Sequence, residues 1–243
     1  MPEHDEITHD TLLRGRVKLL QPRHGFRSSL DPVLLAGFIV PPFGHFLDLG
    51  CASGALSFLI LAQDATARGQ GVEIQPRLAA LAGQGAEANG FADRYQVVTG
   101  DVRTTGTVAA QSFDLVATNP PFRSVERGLS SPDGERARAN HEVTLSLAEW
   151  LDCAARLVRP GGRVGVVYAA ERLPELLAGM SARDLAPVRL RAVHPLADRP
   201  AGRVLVEALR QSRRPLTIEP ALVLHDAAGA RFTPEAARIL EGE

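Results

Sequence analysis

The 243-residue chain predicts an α/β fold: a seven-stranded, mostly parallel sheet with helices on both faces and a small N-terminal annex. Three observations predict it. Short apolar runs alternate with helical segments through most of the chain, the order that builds a parallel sheet. Several of those runs stop at a glycine or an Asx-Pro step, as buried strands do where they meet loops. Hydrophobic residues make up 45% of the chain, enough for one sizeable core, and no repeat or low-complexity linker divides it.

Residues 1–42 are expected to form an N-terminal annex or lid, and residues 43–243 a single globular unit. His45–Leu49 is a short apolar run ending at Gly50, a first buried strand, and Ala55–Gln63 follows as a helix. Gln70–Ile74 is the second strand. Pro76 then suits the first turn of a helix, where its missing N–H has no partner to lose, and Asn89-Gly90 stops that helix. Tyr95–Thr99 is a third strand, and Phe113–Thr118 a fourth, cut off by Asn119-Pro120-Pro121. The polar stretch Arg123–Asn140 reads as a long surface loop at a strand end, a place that often carries function. Glu142–Val158 reads as a helix stopped by Pro160-Gly161-Gly162, and Arg163–Tyr168 as a fifth strand. After a helix over Leu173–Met180 come strands at Val188–Val193 and Val204–Leu209. Leu216–Leu224 with Phe232 is expected to add a β-hairpin before a closing helix from Pro234.

Composition narrows the function classes. No apolar run is long enough to span a membrane, and the acidic N-terminus MPEHDEITHD is unlike a targeting peptide. Cys51 and Cys153 have neither metal-ligand spacing nor a disulfide framework, so a reduced, cytoplasmic protein without a metal site is expected. The formal net charge of −1 argues against a strongly basic nucleic-acid binder, but its distribution is uneven. Arg14, Arg16, Lys18, Arg23 and Arg27 occupy one stretch without a carboxylate. Arg189, Arg191, Arg199, Arg203, Arg210, Arg213 and Arg214 occupy another that holds only Asp198 and Glu207. Two readings stay open: arginine replacing lysine throughout, or a phosphate-facing surface. The second assigns nucleic-acid contacts to Arg14, Arg16, Lys18 and Arg23 and to Arg199, Arg203, Arg213 and Arg214.

Asp48-Leu49-Gly50-Cys51-Ala52-Ser53-Gly54 joins the first strand to its helix. Glycines there let the backbone approach a ligand, and Glu73 at the end of the next strand is placed for ribose hydroxyls. A dinucleotide or S-adenosylmethionine fits such a loop. The spacing favours the second, because no third glycine follows for a pyrophosphate and Asp48 repels phosphate but attracts a cationic amino group. The loop resembles the first motif of class I methyltransferases, with Ala52 where glycine is common. Asp101 is either a helix N-cap or, as the same resemblance implies, the acceptor for the adenine amine of the cofactor. Ile74 and Val102 flank these carboxylates and join the expected cofactor site.

Asn119-Pro120-Pro121-Phe122 follows the strand expected beside the first, across the ligand crevice. The exocyclic amine of adenine is a weak nucleophile because its lone pair is delocalised into the ring. Two acceptors on its two hydrogens, the Asn119 side-chain carbonyl and the Pro120 backbone carbonyl, draw the nitrogen toward tetrahedral geometry. Consecutive prolines stiffen the turn, and Phe122 can stack on a flipped base. A rigid strand-ending turn is the alternative for the motif alone.

Further stretches extend the likeness: Gly25–Asp31 with Val33–Ala36, Ser131-Pro132, Arg159–Gly162, His194-Pro195, Arg199–Ala201, Arg203–Val206 and Phe232–Ala236. In this order they resemble the bacterial tRNA adenine N6-methyltransferase family, whose characterised type acts on valine tRNA beside the anticodon. The resemblance implies cofactor contacts from Arg27, the Asp48–Gly54 loop, Glu73, Asp101 and Asn119. Arg123 and Ser124 stand where some relatives carry another aromatic residue. Enzymes with this motif also methylate guanine amines in rRNA or a protein glutamine amide, and a non-catalytic RNA-binding module is a further alternative. His141 and Glu142 read as capping or solvent-facing residues, His194 as a strand end, Cys51 as a small buried thiol, and Trp150 as helix packing.

Overall fold

The computed structural model describes residues 6–104, 106, 108–120, 145–227 and 229–242. An antiparallel hairpin, β1 (Ile7–Leu12) and β2 (Val17–Pro22), comes first, followed by α1 (Asp31–Phe38). The main sheet is built from β3 (His45–Leu49), β4 (Arg68–Glu73), β5 (Tyr95–Thr99), β6 (Phe113–Thr118), β7 (Val158–Ala169), β8 (Leu185–His194) and β9 (Arg203–Arg210). Between them run α2 (Ala55–Gln63), α3 (Pro76–Ala88), α4 (Leu147–Leu157) and α5 (Leu173–Ser181). Two short strands, β10 (Thr217–Ile218) and β11 (Leu222–Val223), precede α6 (Pro234–Glu241).

Spatially the sheet runs β5-β4-β3-β6-β7-β9-β8-β10, with β11 also on β8. Among the described strands only β9 runs against the others, paired antiparallel with both β7 and β8. The order reverses between β3, which pairs β4, and its other neighbour β6, and a crevice opens at the carboxyl ends of strands at such a reversal.

Alternation along each strand divides the core into two halves, because successive side chains point to opposite faces. Phe46, Leu115, Val167 and Leu205 join α1 and α2 on one face. Leu47, Val116, Val166 and Val206 join Trp150 and Leu151 of α4 and Met180 of α5 on the other. Burying each such Leu, Val or Phe stabilises the fold by ~1.5–3 kcal/mol. The helix α1, from the stretch expected to stand as an annex, shares the first of these clusters with α2.

Four expectations about elements are corrected. Among the described residues the main sheet has nine strands, because β10 and β11 each add to the β8 edge. Leu216–Leu224 is therefore no hairpin. Both short strands lie parallel to β8, and the antiparallel closure is a single bridge, His225 to Phe232, whose rings stack at 4.7 Å. The helix expected from Glu142 starts at Leu147, since Ser146 and Glu149 form a reciprocal capping box there. Pro160-Gly161-Gly162 does not separate helix from strand but lies inside β7, where a register shift against Phe113–Leu115 absorbs it. The N-terminal hairpin has no counterpart among the expected elements. The Arg123–Asn140 stretch, His141 and Glu142 lie outside the described residues. Among the described residues, no helix is long and apolar enough to cross a membrane.

Candidate active site

The loop after β3 folds over the end of β4. The N–H groups of Gly50 and Cys51 both donate to the Val72 carbonyl at 3.0 Å. Gly50 takes φ +80°, and a Cβ there would meet no atom within 4 Å, so this residue faces open space. Gly54, at φ +91°, has a different reason for being glycine: a Cβ would stand 2.5 Å from the Phe58 ring. Ala52 holds φ +47°, the left-handed region that glycine enters without strain, and its methyl packs on Leu20, Leu78 and Leu81. Glu73 pins this turn from below: Oε2 accepts the Ala52 N–H at 2.9 Å and Oε1 the Gln75 N–H at 2.8 Å. A carboxylate offers about four lone-pair sites, so these bonds leave acceptor capacity for a ligand hydroxyl. Burial raises the Glu73 pKa, and these backbone donors oppose the rise.

Asp48 is 2% exposed, and its Oδ2 accepts the N–H and hydroxyl of Ser57 at 3.1 and 2.7 Å. Burial pushes its carboxyl up to about 7, against those two donors and with help from Glu73. A carboxylate in that state gains from a cationic partner. On the other side of the crevice, the Thr118 hydroxyl donates to the Leu49 carbonyl at 2.8 Å, tying the ends of β6 and β3 together. That bond sets Asn119 next to the glycine loop. Phe26, Ser28, Asp48, Gly50, Ala52 and Asn119 line one shared pocket.

A family model described as the methyltransferase small domain matches residues 31–131. A relative from Porphyromonas gingivalis, named tRNA1(Val) (adenine(37)-N6)-methyltransferase, is 32% identical over 88% of this chain and 87% of its own length. The chain belongs to that tRNA1(Val) (adenine(37)-N6)-methyltransferase family. A second member, from Dickeya chrysanthemi, is 32% identical over 77% of the chain and 74% of its length. Among solved structures, a predicted O-methyltransferase from Agrobacterium tumefaciens overlays with a TM-score of 0.71 at 22% identity, covering 87% of this chain and 96% of that one. TYW2 from Pyrococcus horikoshii, in complex with MeSAdo, overlays at 0.60 and 14% identity, covering 86% and 73%. The fold is that of class I methyltransferases, as the sequence resemblance implied.

Other expected site residues of this family member are differently engaged. Asp101 accepts from Arg103 three times over, from Nε at 2.9 Å, Nη2 at 2.6 Å and the backbone N–H at 2.9 Å. Those bonds, the Arg103 side chain first, hold its pKa below the usual carboxylate range. An adenine amine at Asp101 must therefore share or displace Arg103, whose Nη1 also reaches Glu149 at 3.1 Å. Residues 102–104 form a turn and not a helix, so Asp101 is not an N-cap; its side chain and carbonyl accept the N–H groups of Arg103 and Thr104. Val102 is buried and its carbonyl accepts from Arg156 at 2.7 Å, while Ile74 is half-buried beside Glu73. Pro120 is buried, and Pro121 and Phe122 lie outside the described residues.

Arg27 braces the hairpin instead of lining the pocket. It donates to Thr8 Oγ1 and Asp10 Oδ2 at 2.8 Å each, and to the Pro22 carbonyl at 3.1 Å. The residues of its segment that line the pocket are Phe26, 52% exposed, and Ser28, with Pro32 following. Sequence reasoning missed Phe26; a lone aromatic within a polar Arg/Ser stretch was the available signal. Cys51 and Trp150 are buried, the latter against Tyr168, and the ring of His194, at the end of β8, lies 2.8 Å from the Arg199 carbonyl.

The C-terminal arginine cluster is split between the two ends of the sheet. Arg203 pairs with Ala169 at the crevice end, and Arg210 with Leu185 at the opposite end, about 23 Å away at ~3.3 Å per residue. Arg213 and Arg214 follow Arg210 and so lie far from the crevice. Arg14 pairs with Glu241, Arg16 donates to the Glu241 and Gly242 carbonyls at 2.6 and 2.7 Å, and Lys18 to the Ala88 carbonyl at 3.2 Å. These three tie the hairpin to α6 and α3. Arg23 pairs with Glu6 at 2.5 Å, and Arg203 with Asp31 at 3.4 Å.

Proposed function

We propose that this chain transfers a methyl group from S-adenosylmethionine to the exocyclic N6 amine of an adenine in tRNA. One observation carries the reading. Asn119, which opens Asn-Pro-Pro-Phe, lines the same pocket as Asp48 and Gly50, in a chain whose relatives over most of its length are named tRNA1(Val) (adenine(37)-N6)-methyltransferase.

The residues present fit the cofactor. The open space over Gly50 admits it close to the backbone, the buried Asp48 carboxylate suits its cationic amino group, and the Glu73 lone pairs suit its ribose. When bound, it supplies a methyl group made electrophilic by the sulfonium. The chain's own task is to raise the nucleophilicity of the amine. Asn119 Oδ1 and the Pro120 carbonyl accept its two N–H groups, which frees the nitrogen lone pair from the ring and aims it across the crevice. The Thr118–Leu49 bond fixes Asn119 against the loop, so these acceptors are preorganised instead of being recruited during reaction. Phe122 is assigned the stacking face for the flipped base, and Pro121 the stiffening of the turn.

Incubation with methyl-labelled S-adenosylmethionine and total tRNA, rRNA or release factor, followed by nucleoside and residue analysis, tests the reading. N6-methyladenosine in tRNA is expected. Label confined to protein, N2-methylguanosine in rRNA, or no transfer at all overturns it.

A further inference from the structure

Asp48, Ser57 and Tyr95 form a buried polar chain that the acceptor chemistry above leaves unused. They come from β3, the first turn of α2 and the start of β5, and are 2%, 0% and 4% exposed. The Ser57 hydroxyl lies 2.7 Å from Asp48 Oδ2 and 2.8 Å from the Tyr95 oxygen. One hydroxyl proton serves one acceptor at a time. With Asp48 ionised that proton goes to the carboxylate, and the Tyr95 hydroxyl, which also reaches the Cys51 thiol, is left to donate to Ser57 or to Cys51. When Tyr95 donates to Ser57 the chain runs from Tyr95 to Ser57 to Asp48, and each bond polarises the next.

Packing alone does not call for the Tyr95 hydroxyl. Its ring lies 6.4 Å from that of Phe46 and 5.8 Å from that of Phe58, contacts a phenylalanine would keep. Burying the hydroxyl instead demands room: a Cβ on Gly71 would lie 2.1 Å from the Tyr95 oxygen and 2.6 Å from Cys51 Sγ. A glycine in β4 thus leaves room for a buried phenol that reaches Cys51 on one side and, through Ser57, Asp48 on the other.

We propose that Tyr95 and Ser57 are positioning residues that keep the Asp48 carboxylate ionised and turned into the crevice for the cationic amino group of the methyl donor. The proposal rests on the S-adenosylmethionine reading. The groups facing Asp48 are Ser57 from α2, Tyr95 from β5, Glu73 from β4 and Cys51 on its own loop. Glu73 and burial disfavour its charge, and the Ser57 donors favour it.

Calorimetric binding of S-adenosylhomocysteine, which keeps the amino group, and of 5′-methylthioadenosine, which lacks it, tests this between about pH 6 and about pH 8.5. Tyr95→Phe should weaken S-adenosylhomocysteine binding by roughly three- to tenfold near the acid end and converge on wild type at the alkaline end, where Asp48 ionises without help. Methylthioadenosine affinity should stay within about twofold throughout. Ser57→Ala makes the same test with a smaller side chain and should shift the profile further, because it removes a direct donor. An unchanged pH profile in both variants overturns the proposal, as does equal loss of both ligands. Wild type that binds neither ligand fails differently: it removes the cofactor reading and the proposal with it.

Discussion

Asp48 sits in the ligand-free protein at an energetic disadvantage that its position explains. Its carboxyl is pushed up to about 7 by burial, well above the unfolded value near 3.9. Between those values the folded state binds the extra proton, so stability falls as pH rises from about 4 to about 7. Asp48→Asn should therefore stabilise the ligand-free protein by a few kcal/mol, on the order of 2–4, near pH 8, with the gain vanishing below about pH 4. Urea unfolding at several pH values checks this, and a gain independent of pH would refute it. The same variant should lose the cofactor's amino-group contact. Asn119 carries the opposite expectation: Asn119→Ala should leave S-adenosylhomocysteine affinity within about threefold while lowering the transfer rate by at least about 10², the scale of one lost preorganised acceptor. Equal loss in binding and rate would make Asn119 chiefly a cofactor ligand.

Helices and strands were readable where local chemistry and tertiary packing agree. Ala55–Gln63, Tyr95–Thr99 and Phe113–Thr118 came out at their observed bounds, because each is an apolar run bounded by a turn residue. Apolar periodicity alone places the start of α4 too early, because it extends upstream of the cap. Ser146 and Glu149 are the deciding pair, and a capping box is visible in sequence only when searched for at that spacing. Ser146→Ala should cost about 1 kcal/mol in chemical denaturation, and a change under about 0.3 kcal/mol would mean the helix holds without its cap. Pro160-Gly161-Gly162 misled for another reason: a strand can absorb a bulge where its neighbour slips register, and no local signal reports the neighbour. Among site residues, the glycine loop, Glu73 and Asn119 were readable because their spacing is the chemistry. Phe26, Ser57 and Tyr95 were not, since only the pairing of β3, β4 and β5 and the fold of the N-terminal segment bring them to the pocket or its supporting chain.

At the scale of the whole molecule, the net charge of −1 leaves binding of a polyanion to the way charge is sorted between the two ends of the sheet. Contiguous in sequence, the C-terminal arginines are split by the length of β9. Arg199 lies in the turn from β8 to β9, next to the crevice end, and its exposed guanidinium has no hydrogen-bonding or ionic partner among the described residues. Arg231 has the same standing in the segment between β11 and the Phe232 bridge, and β11 pairs β8 at Val193 and His194, at that same end. Arg213 and Arg214 are equally exposed but lie beyond the opposite end. On the proposed function, a tRNA that presents its base to Asn119 would pass the first pair and not the second. Arg199→Glu with Arg231→Glu should therefore weaken tRNA binding and lower the slope of log affinity against log salt by about one per lost phosphate contact, whereas Arg213→Glu with Arg214→Glu should leave both nearly unchanged. Filter binding across a salt series decides between them. Equal effects from the two pairs would mean that attraction is diffuse over the surface, and a larger effect from Arg213 and Arg214 would move the RNA path to the far end of the sheet.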